Sequence, residues 1–261
     1  MNGMNNYLKL SVLKQQKLKE ILSMLGETSG KRCLDIGGDN GVISWFLRKN
    51  GGRWASADLE KEAVNSIRRL VREEVYQIDG KSTPFPENSF DAVVIVDFLE
   101  HIETDALFIK ELHRIIKPGG TLIINVPHLR KASLLSSIRK SAGFTDEKHG
   151  HLRPGYTLPM LNSLLTGRFC IVRHTTYVKF FSELIDTAIN LVWLKSAKGR
   201  SGKKGMIVTE EKLEKKKKIL KLYTALYPLI NLISKLDRLL FFTKGASLIV
   251  KGDNSDLLAL N

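Results

Sequence analysis

Apolar positions along the first half of the chain switch repeatedly between two spacings. Over residues 7–25 they recur every three or four positions, with Leu8, Val12, Leu18, Ile21, Leu22 and Leu25 on one stripe. This predicts an amphipathic helix, stopped by Gly26 and Gly30. Short apolar runs then appear at residues 32–36, 54–57, 75–78, 90–96 and 121–126. Each is bounded by Gly, Pro, Asp or Asn and predicts a strand. Helical spacing returns between them, at residues 42–49, after Asp58 through Arg72, and at 104–116, where Lys117-Pro118-Gly119-Gly120 forms the stop. Alternation of strand and helix at these lengths implies a parallel, doubly wound α/β sheet.

Beyond Pro127 the pattern loosens. A helix is expected near 132–142, a polar loop at 145–156, a helix from about Pro159, and a sixth strand at 170–178. Residues 180–243 are helical in pattern and rich in lysine, and 246–251 reads as one last strand. Within the helical stretch, Lys217, Lys221, Thr224, Pro228, Asn231, Lys235 and Arg238 alternate four and three apart. That draws a narrow polar stripe on an otherwise apolar helix, which Pro228 is expected to divide in two. The chain therefore divides into an amphipathic helix (1–30), a core (31–179), a basic helical insertion (180–243) and a last core strand with its tail (244–261).

Charge sharpens this picture. Forty-one Lys and Arg against 27 Asp and Glu give a formal +14, which favours a polyanionic partner, either nucleic acid or an anionic membrane surface. Trp193 and the Tyr and Phe residues of 180–243 lie in apolar helical faces, while the lysines cluster separately around 198–221. Base stacking would interleave the two, so the membrane surface ranks ahead of nucleic acid. No stretch reaches the roughly 20 apolar residues of a spanning helix, and residues 1–25 lack the apolar core of a secretory signal. Cys33 and Cys170 form no paired motif. The expectation is a cytoplasmic protein, peripheral on the inner membrane face.

The strongest local signal is Asp35-Ile36-Gly37-Gly38-Asp39-Asn40-Gly41, an acidic strand end followed by glycines that open a helix. In open α/β sheets, ligands bind outside the carboxyl ends of the strands, and glycine lets the backbone approach them. The loop resembles the acidic-x-Gly-x-Gly-x-Gly turn of class I S-adenosylmethionine-dependent methyltransferases, with Asp39 at the middle glycine position. Asp58 closes the second strand. Asp79-Gly80, the segment Asn88 to Val94, Asp97-Phe98-Leu99-Glu100-His101 and Lys117-Pro118-Gly119-Gly120 then follow in the order of that family. The resemblance implies a seven-stranded Rossmann-like sheet with its last strand antiparallel and S-adenosylmethionine as cofactor. It assigns cofactor contacts to Asp35, Gly37, Gly38, Gly41, Asp58, Leu59, Asp79, Gly80 and Asp97.

Methylation of a hydroxyl or protonated amine needs a base. His101 and His128 follow the fourth and fifth strands, and His149, His151 and Arg153 fall in Lys148-His149-Gly150-His151-Leu152-Arg153-Pro154-Gly155-Tyr156. That segment resembles the acceptor-side loop of some family members. His101, His149, His151 and Arg153 are the candidate catalytic residues, Arg153 as a holder of carboxylate or phosphate. Packing of the loop onto the sheet explains the same residues equally well. No metal is expected, because no further ligand stands near the histidine pair in sequence. The acceptor expected is small: lipid-linked, a polysaccharide precursor or quinone-like. An RNA methyltransferase and a non-catalytic binding protein are the alternatives.

Overall fold

The computed structural model describes residues 11–130, 135, 139, 150–196 and 217–254. The first helix, α1 (Val12–Leu25), is capped by the Ser11 hydroxyl, which accepts the Lys14 N–H at 3.3 Å, and ends at Gly26 with φ +69°. Strand β1 (Arg32–Ile36) leads into α2 (Val42–Lys49), β2 (Arg53–Asp58) into α3 (Lys61–Val71), and β3 (Val75–Gln77) into the loop before β4 (Phe90–Val96). A 3-10 turn (Leu99–His101), α4 (Asp105–Ile115) and β5 (Ile116–Pro127) follow. Beyond them come α5 (Leu158–Leu165), β6 (Cys170–Tyr177), α6 (Phe180–Ser196), α7 (Lys217–Lys235), a second 3-10 turn (Leu236–Leu240) and β7 (Ser247–Asp253).

The strands form one seven-stranded sheet in the order β3-β2-β1-β4-β5-β7-β6. Pairings from β3 through β5 are parallel, and β7 runs antiparallel to both β5 and β6. Alternation along the strands separates two cores. Val93 and Ile95 of β4 pack with α4 and α5 on one face, whereas Ala92, Val94 and Val96 pack with α1 and α2 on the other. The chain reverses its direction of travel across the sheet between β1 and β4, the place where such folds open a ligand crevice.

The structure departs from the sequence reading in several places. The Lys117-Pro118-Gly119-Gly120 stretch, read as the stop between helix and strand, lies within β5, which begins at Ile116 directly after α4 rather than at Thr121. Register along β4 shifts between Phe90 and Ala92, an irregularity of the kind that accommodates proline in a strand. Pro228 does not divide α7, which continues from Lys217 to Lys235. It lies on the exposed side, where water can reach the backbone group left without an N–H partner. The expected helix at 132–142 lies outside the described residues apart from Leu135 and Arg139.

The α6 and α7 pair reverses the usual sidedness of a surface helix. Ser234 and Asp237 are buried, with Asp237 accepting the N–H groups of Lys179, Phe181 and Ser182 at 3.1, 2.8 and 3.3 Å. Leu229, Leu232, Leu239, Phe241 and Phe242 point outward and are 55, 62, 68, 82 and 73% exposed. No helix among the described residues is long and apolar enough to cross a membrane.

Candidate functional site

The turn after β1 is shaped by steric necessity. Gly37 has φ +82°, and a Cβ there would sit 2.2 Å from the Val96 carbonyl oxygen. At Gly41, which opens α2 with φ +80°, a Cβ would meet Ile67 Cα at 2.9 Å. Gly38 is closed off by Ser44 Oγ, 2.4 Å from the same construction. Asp39 takes the left-handed conformation, φ +48°, which aspartate tolerates better than most residues.

The two acids that flank this turn do different things. Asp35 is sealed from solvent and receives hydrogen bonds from the Ser44 hydroxyl, the Ser56 hydroxyl at 2.7 Å and Arg48 at 3.3 Å. It ties β1 to β2 and α2, and so fixes the turn from beneath. Asp58 accepts only backbone N–H groups, from Asp39 at 3.3 Å and Glu60 at 3.2 Å. Each of its oxygens therefore keeps acceptor capacity toward the crevice. Burial pushes its carboxyl up to about 6, partly offset by those N–H groups. Leu59 beside it is half-buried against the main core. Asp79 is exposed and binds the N–H groups of Lys81 and Ser82 at 2.8 and 2.9 Å, which hold its carboxyl below the usual range. A Cβ on Gly80 would meet Ile102 at 2.6 Å, so the strand-three loop presses on the turn after β4.

Asp97 follows β4 with φ +46° and accepts from Asn125 at 2.8 Å. It is also paired with Lys17 of α1, while Lys14 lies 3.8 Å from Asp39. Helix α1 thus brings two lysines to the cofactor-side turns. The sequence reading assigned neither residue to the site, although both lie within the stretch it read as an amphipathic helix.

The acceptor-side loop folds against the turn after β4. Leu152 N–H donates to the Glu100 carbonyl at 2.8 Å, and Tyr156 OH reaches Asp105 at 2.9 Å and the Leu99 carbonyl at 3.2 Å. Arg153 pairs with Asp105 and donates to the carbonyls of Ile102 and Glu103 at 2.9 and 3.0 Å. Its guanidinium is engaged in clamping the loop, in contrast to the anion-holding part the sequence suggested. His101 Nδ1 lies 3.1 Å from the Gly150 carbonyl, and its ring meets that of His151 edge-on at 4.8 Å. His149 lies outside the described residues. His128 is turned away toward the Gly245 carbonyl, 2.8 Å distant.

The fold also adds a group that sequence spacing hid. Glu100 is fully buried, and neither of its carboxylate oxygens has a hydrogen-bond partner among the described residues. Burial, reinforced by the neighbouring charge of Asp97, raises its carboxyl well above the ordinary range. Glu100, His101 and His151 each offer a ligand atom within 4.8 Å of the others. The premise that no third ligand stands near a histidine pair does not hold in three dimensions.

Comparison with known proteins places this geometry in context. The family described as "Methyltransferase domain" matches residues 34–124. A demethylmenaquinone methyltransferase of Tropheryma whipplei is 27% identical over 104 residues, 39% of this chain and 44% of the relative. A ubiquinone biosynthesis O-methyltransferase of Xanthomonas oryzae is 30% identical over 105 residues, 38% of this chain and 44% of the relative. The chain thus spans less than half the length of these curated relatives. Among solved structures, an S-adenosylmethionine-dependent methyltransferase of Mesorhizobium loti superposes with a TM-score of 0.54 at 16% identity, covering 90% of this chain and 96% of that one. The [4+2]-cyclase SpnF superposes with a TM-score of 0.60 at 17% identity, covering 93% and 81%. Likeness at that distance shows the fold, and one fold hosts several chemistries.

Proposed function

We propose that this chain, whose residues 34–124 are a domain of the class I S-adenosylmethionine-dependent methyltransferase superfamily, transfers a methyl group to a small acceptor at a membrane surface. The acceptor is quinone-like or otherwise lipid-linked, including a lipid-borne polysaccharide precursor. The observation that carries the cofactor reading is the pairing of the glycine turn with Asp58. Gly37 and Gly41 leave no room for side chains, and the Asp58 oxygens are set to receive a pair of sugar hydroxyls.

When bound, S-adenosylmethionine supplies a sulfonium methyl that is already activated, so the protein's task is chiefly alignment. Asp35, through Ser44, Ser56 and Arg48, keeps the turn in place. Asp79 and Gly80 belong to the adenine-side loop by the family resemblance, which also counts Leu59 among the cofactor contacts. The alternating charges of Lys17, Asp97, Lys14 and Asp39 suit a zwitterionic amino-acid end. His101 and His151 stand beyond β4, where the acceptor is expected, and imidazole is the side chain suited to proton handling near neutral pH. Arg153 serves by holding their loop.

The membrane part of the reading rests on the outward apolar row of α7 and the turn after it. Lys235, Arg238 and Lys244 flank that row and are exposed. A basic border around exposed Leu and Phe suits an anionic bilayer surface. The relatives named for menaquinone and ubiquinone biosynthesis favour an apolar acceptor found there.

Calorimetric titration with S-adenosylmethionine and S-adenosylhomocysteine tests the cofactor assignment. Saturable binding that Asp58→Ala weakens is expected, and folded protein that binds neither ligand would overturn it. Methyl transfer from labelled cofactor to a quinol or lipid-extract fraction, with none to RNA, is the expected acceptor result. Transfer to RNA alone would favour the alternative explanation of the positive charge.

A further inference from the structure

We propose that Glu100, His101 and His151 form a binding site for one divalent transition-metal ion, with zinc the best match to the donors. Three observations lead there independently of any methyl transfer. The first is the convergence itself: one carboxylate and two imidazoles, from the turn after β4 and from a loop fifty residues later, approach within 4.8 Å.

The second is the condition of Glu100. A buried carboxylate ordinarily has a hydrogen-bond donor or a cation to offset its lost hydration. Glu100 accepts no hydrogen bond among the described residues. The two cations nearest in charge, Lys17 and Arg153, are bonded instead to Asp97 and Asp105. A metal ion in the gap between Glu100 and the histidines supplies the missing positive charge at the carboxylate itself.

The third is how the imidazoles are held. With His101 Nδ1 donating its proton to the Gly150 carbonyl at 3.1 Å, the lone pair is left on Nε2. Metal-binding histidines are characteristically oriented this way, with the second nitrogen bonded to a backbone carbonyl. The loop that carries His151 is itself fixed, by Leu152 N–H on the Glu100 carbonyl at 2.8 Å and by the Arg153 clamp on Asp105, Ile102 and Glu103. Both second-sphere ties run between the two segments that supply the ligands.

Two nitrogens and one carboxylate oxygen select against magnesium and calcium, which favour oxygen donors throughout. The set suits zinc in a site with an open position, and also cobalt, iron and manganese. A water molecule or an acceptor oxygen can take the remaining position. In that case the histidines act as ligands, and a coordinated acceptor hydroxyl gives its proton to solvent because the ion has raised its acidity.

The test is titration of tag-free, chelator-stripped full-length chain with cobalt(II), following the visible d–d absorption. One equivalent is expected to bind, to give visible bands of a nitrogen- and oxygen-ligated ion, and to be displaced by zinc. Glu100→Gln and His151→Ala should each weaken binding by at least about tenfold. His174→Ala, an exposed histidine on β6, should leave binding unchanged. Circular dichroism would establish that each variant is folded. His151 lies on a half-exposed loop position, so its variant remains informative if Glu100→Gln fails to fold. Absence of a cobalt spectrum at stoichiometric metal, or an affinity unaltered in folded His151→Ala, would overturn the proposal.

Discussion

The carboxyl edge of β1, β2 and β4 and the outer pair α6 and α7 handle buried polarity in opposite ways. At the strand edge, Asp58 is buried yet its hydrogen bonds from the Asp39 and Glu60 N–H groups are long, 3.3 and 3.2 Å, so its charge is under-compensated. In the helical pair, Asp237 is equally buried but receives three backbone N–H groups at the start of α6. Apolar surface is also distributed in reverse. The strand edge hides its Leu, Ile and Phe in two cores, whereas the helical pair turns Leu232, Leu239, Phe241 and Phe242 to the outside. A carboxylate left short of partners points to something still to be bound, and one fully served by N–H groups points to architecture. Substitutions should therefore separate binding from stability differently in the two regions.

The largest effect is expected at Gly37. An alanine there must adopt φ +82° and place its Cβ 2.2 Å from the Val96 carbonyl. The left-handed strain alone costs on the order of 1–3 kcal/mol, and displacing backbone adds to it. Gly37→Ala should lose S-adenosylhomocysteine binding and show a clearly lowered urea midpoint. Wild-type binding with unchanged stability would mean that the turn is not built around close backbone packing.

Asp58→Ala should divide the two properties. Hydrogen bonds to a charged group contribute about 1.5–3 kcal/mol, so cofactor affinity should fall roughly ten- to a hundredfold by the same scale. Stability should not fall with it. The folded-state pKa of about 6 lies above the ordinary aspartate value. The stability linked to this group is therefore fully present below the unfolded pKa, near about 4, and is lost as pH rises through about 6. Hydroxyl donors from a ligand favour the ionised form, so cofactor affinity should move the other way and strengthen as pH rises across that window. Calorimetry from pH 5 to 7.5 checks this, and Asp58→Asn should flatten the dependence.

Much of the strand edge was legible in the sequence because the constraints there are local. Glycine spacing, a strand-terminal acid and alternating apolar runs follow from a turn and a pleat only a few residues long, and Gly37, Gly41 and Asp58 fell where those rules put them. The partners of the edge were not legible. Lys14 and Lys17 reach Asp39 and Asp97 through the docking of α1, and Glu100 meets His151 only because Arg153 and Leu152 strap a distant loop across it. The tie that engages Arg153 was hidden for the same reason, since its partner Asp105 is 48 positions away in the chain. In α7 the 3.6-residue period was visible, but not its sidedness. The narrow polar stripe did not say which face meets the core, and the structure buries Ser234 of α7 and Asp237 of the following turn and leaves Leu229, Leu232 and Leu239 outside.

Asp237→Ala attacks the helical pair at a buried charge. It strips the acceptor from three N–H groups at the start of α6, the arrangement that capping residues serve elsewhere. A loss of about 1–2 kcal/mol is expected in denaturant unfolding, with cofactor affinity little changed. Weaker cofactor binding at equal stability would make the helical pair part of the cofactor site and blur the distinction between the regions.

The smallest effect on stability is expected where the side chains are largest. Leu239, Phe241 and Phe242 are 68, 82 and 73% exposed, so little of their surface leaves water on folding. Replacing all three with serine should change the unfolding free energy by no more than about 0.5 kcal/mol per site, the range of ordinary surface substitutions. Vesicle binding should respond in the opposite sense. Burying a Leu or Phe side chain contributes about 1.5–3 kcal/mol, so the triple variant should lose at least about tenfold in co-sedimentation with phosphatidylcholine–phosphatidylglycerol vesicles. Wild-type pelleting by the variant would remove the membrane from the function proposed. A large loss of stability would instead show that these residues are covered in solution, as a contact between copies of the chain would cover them, and sedimentation equilibrium would then report the dimer.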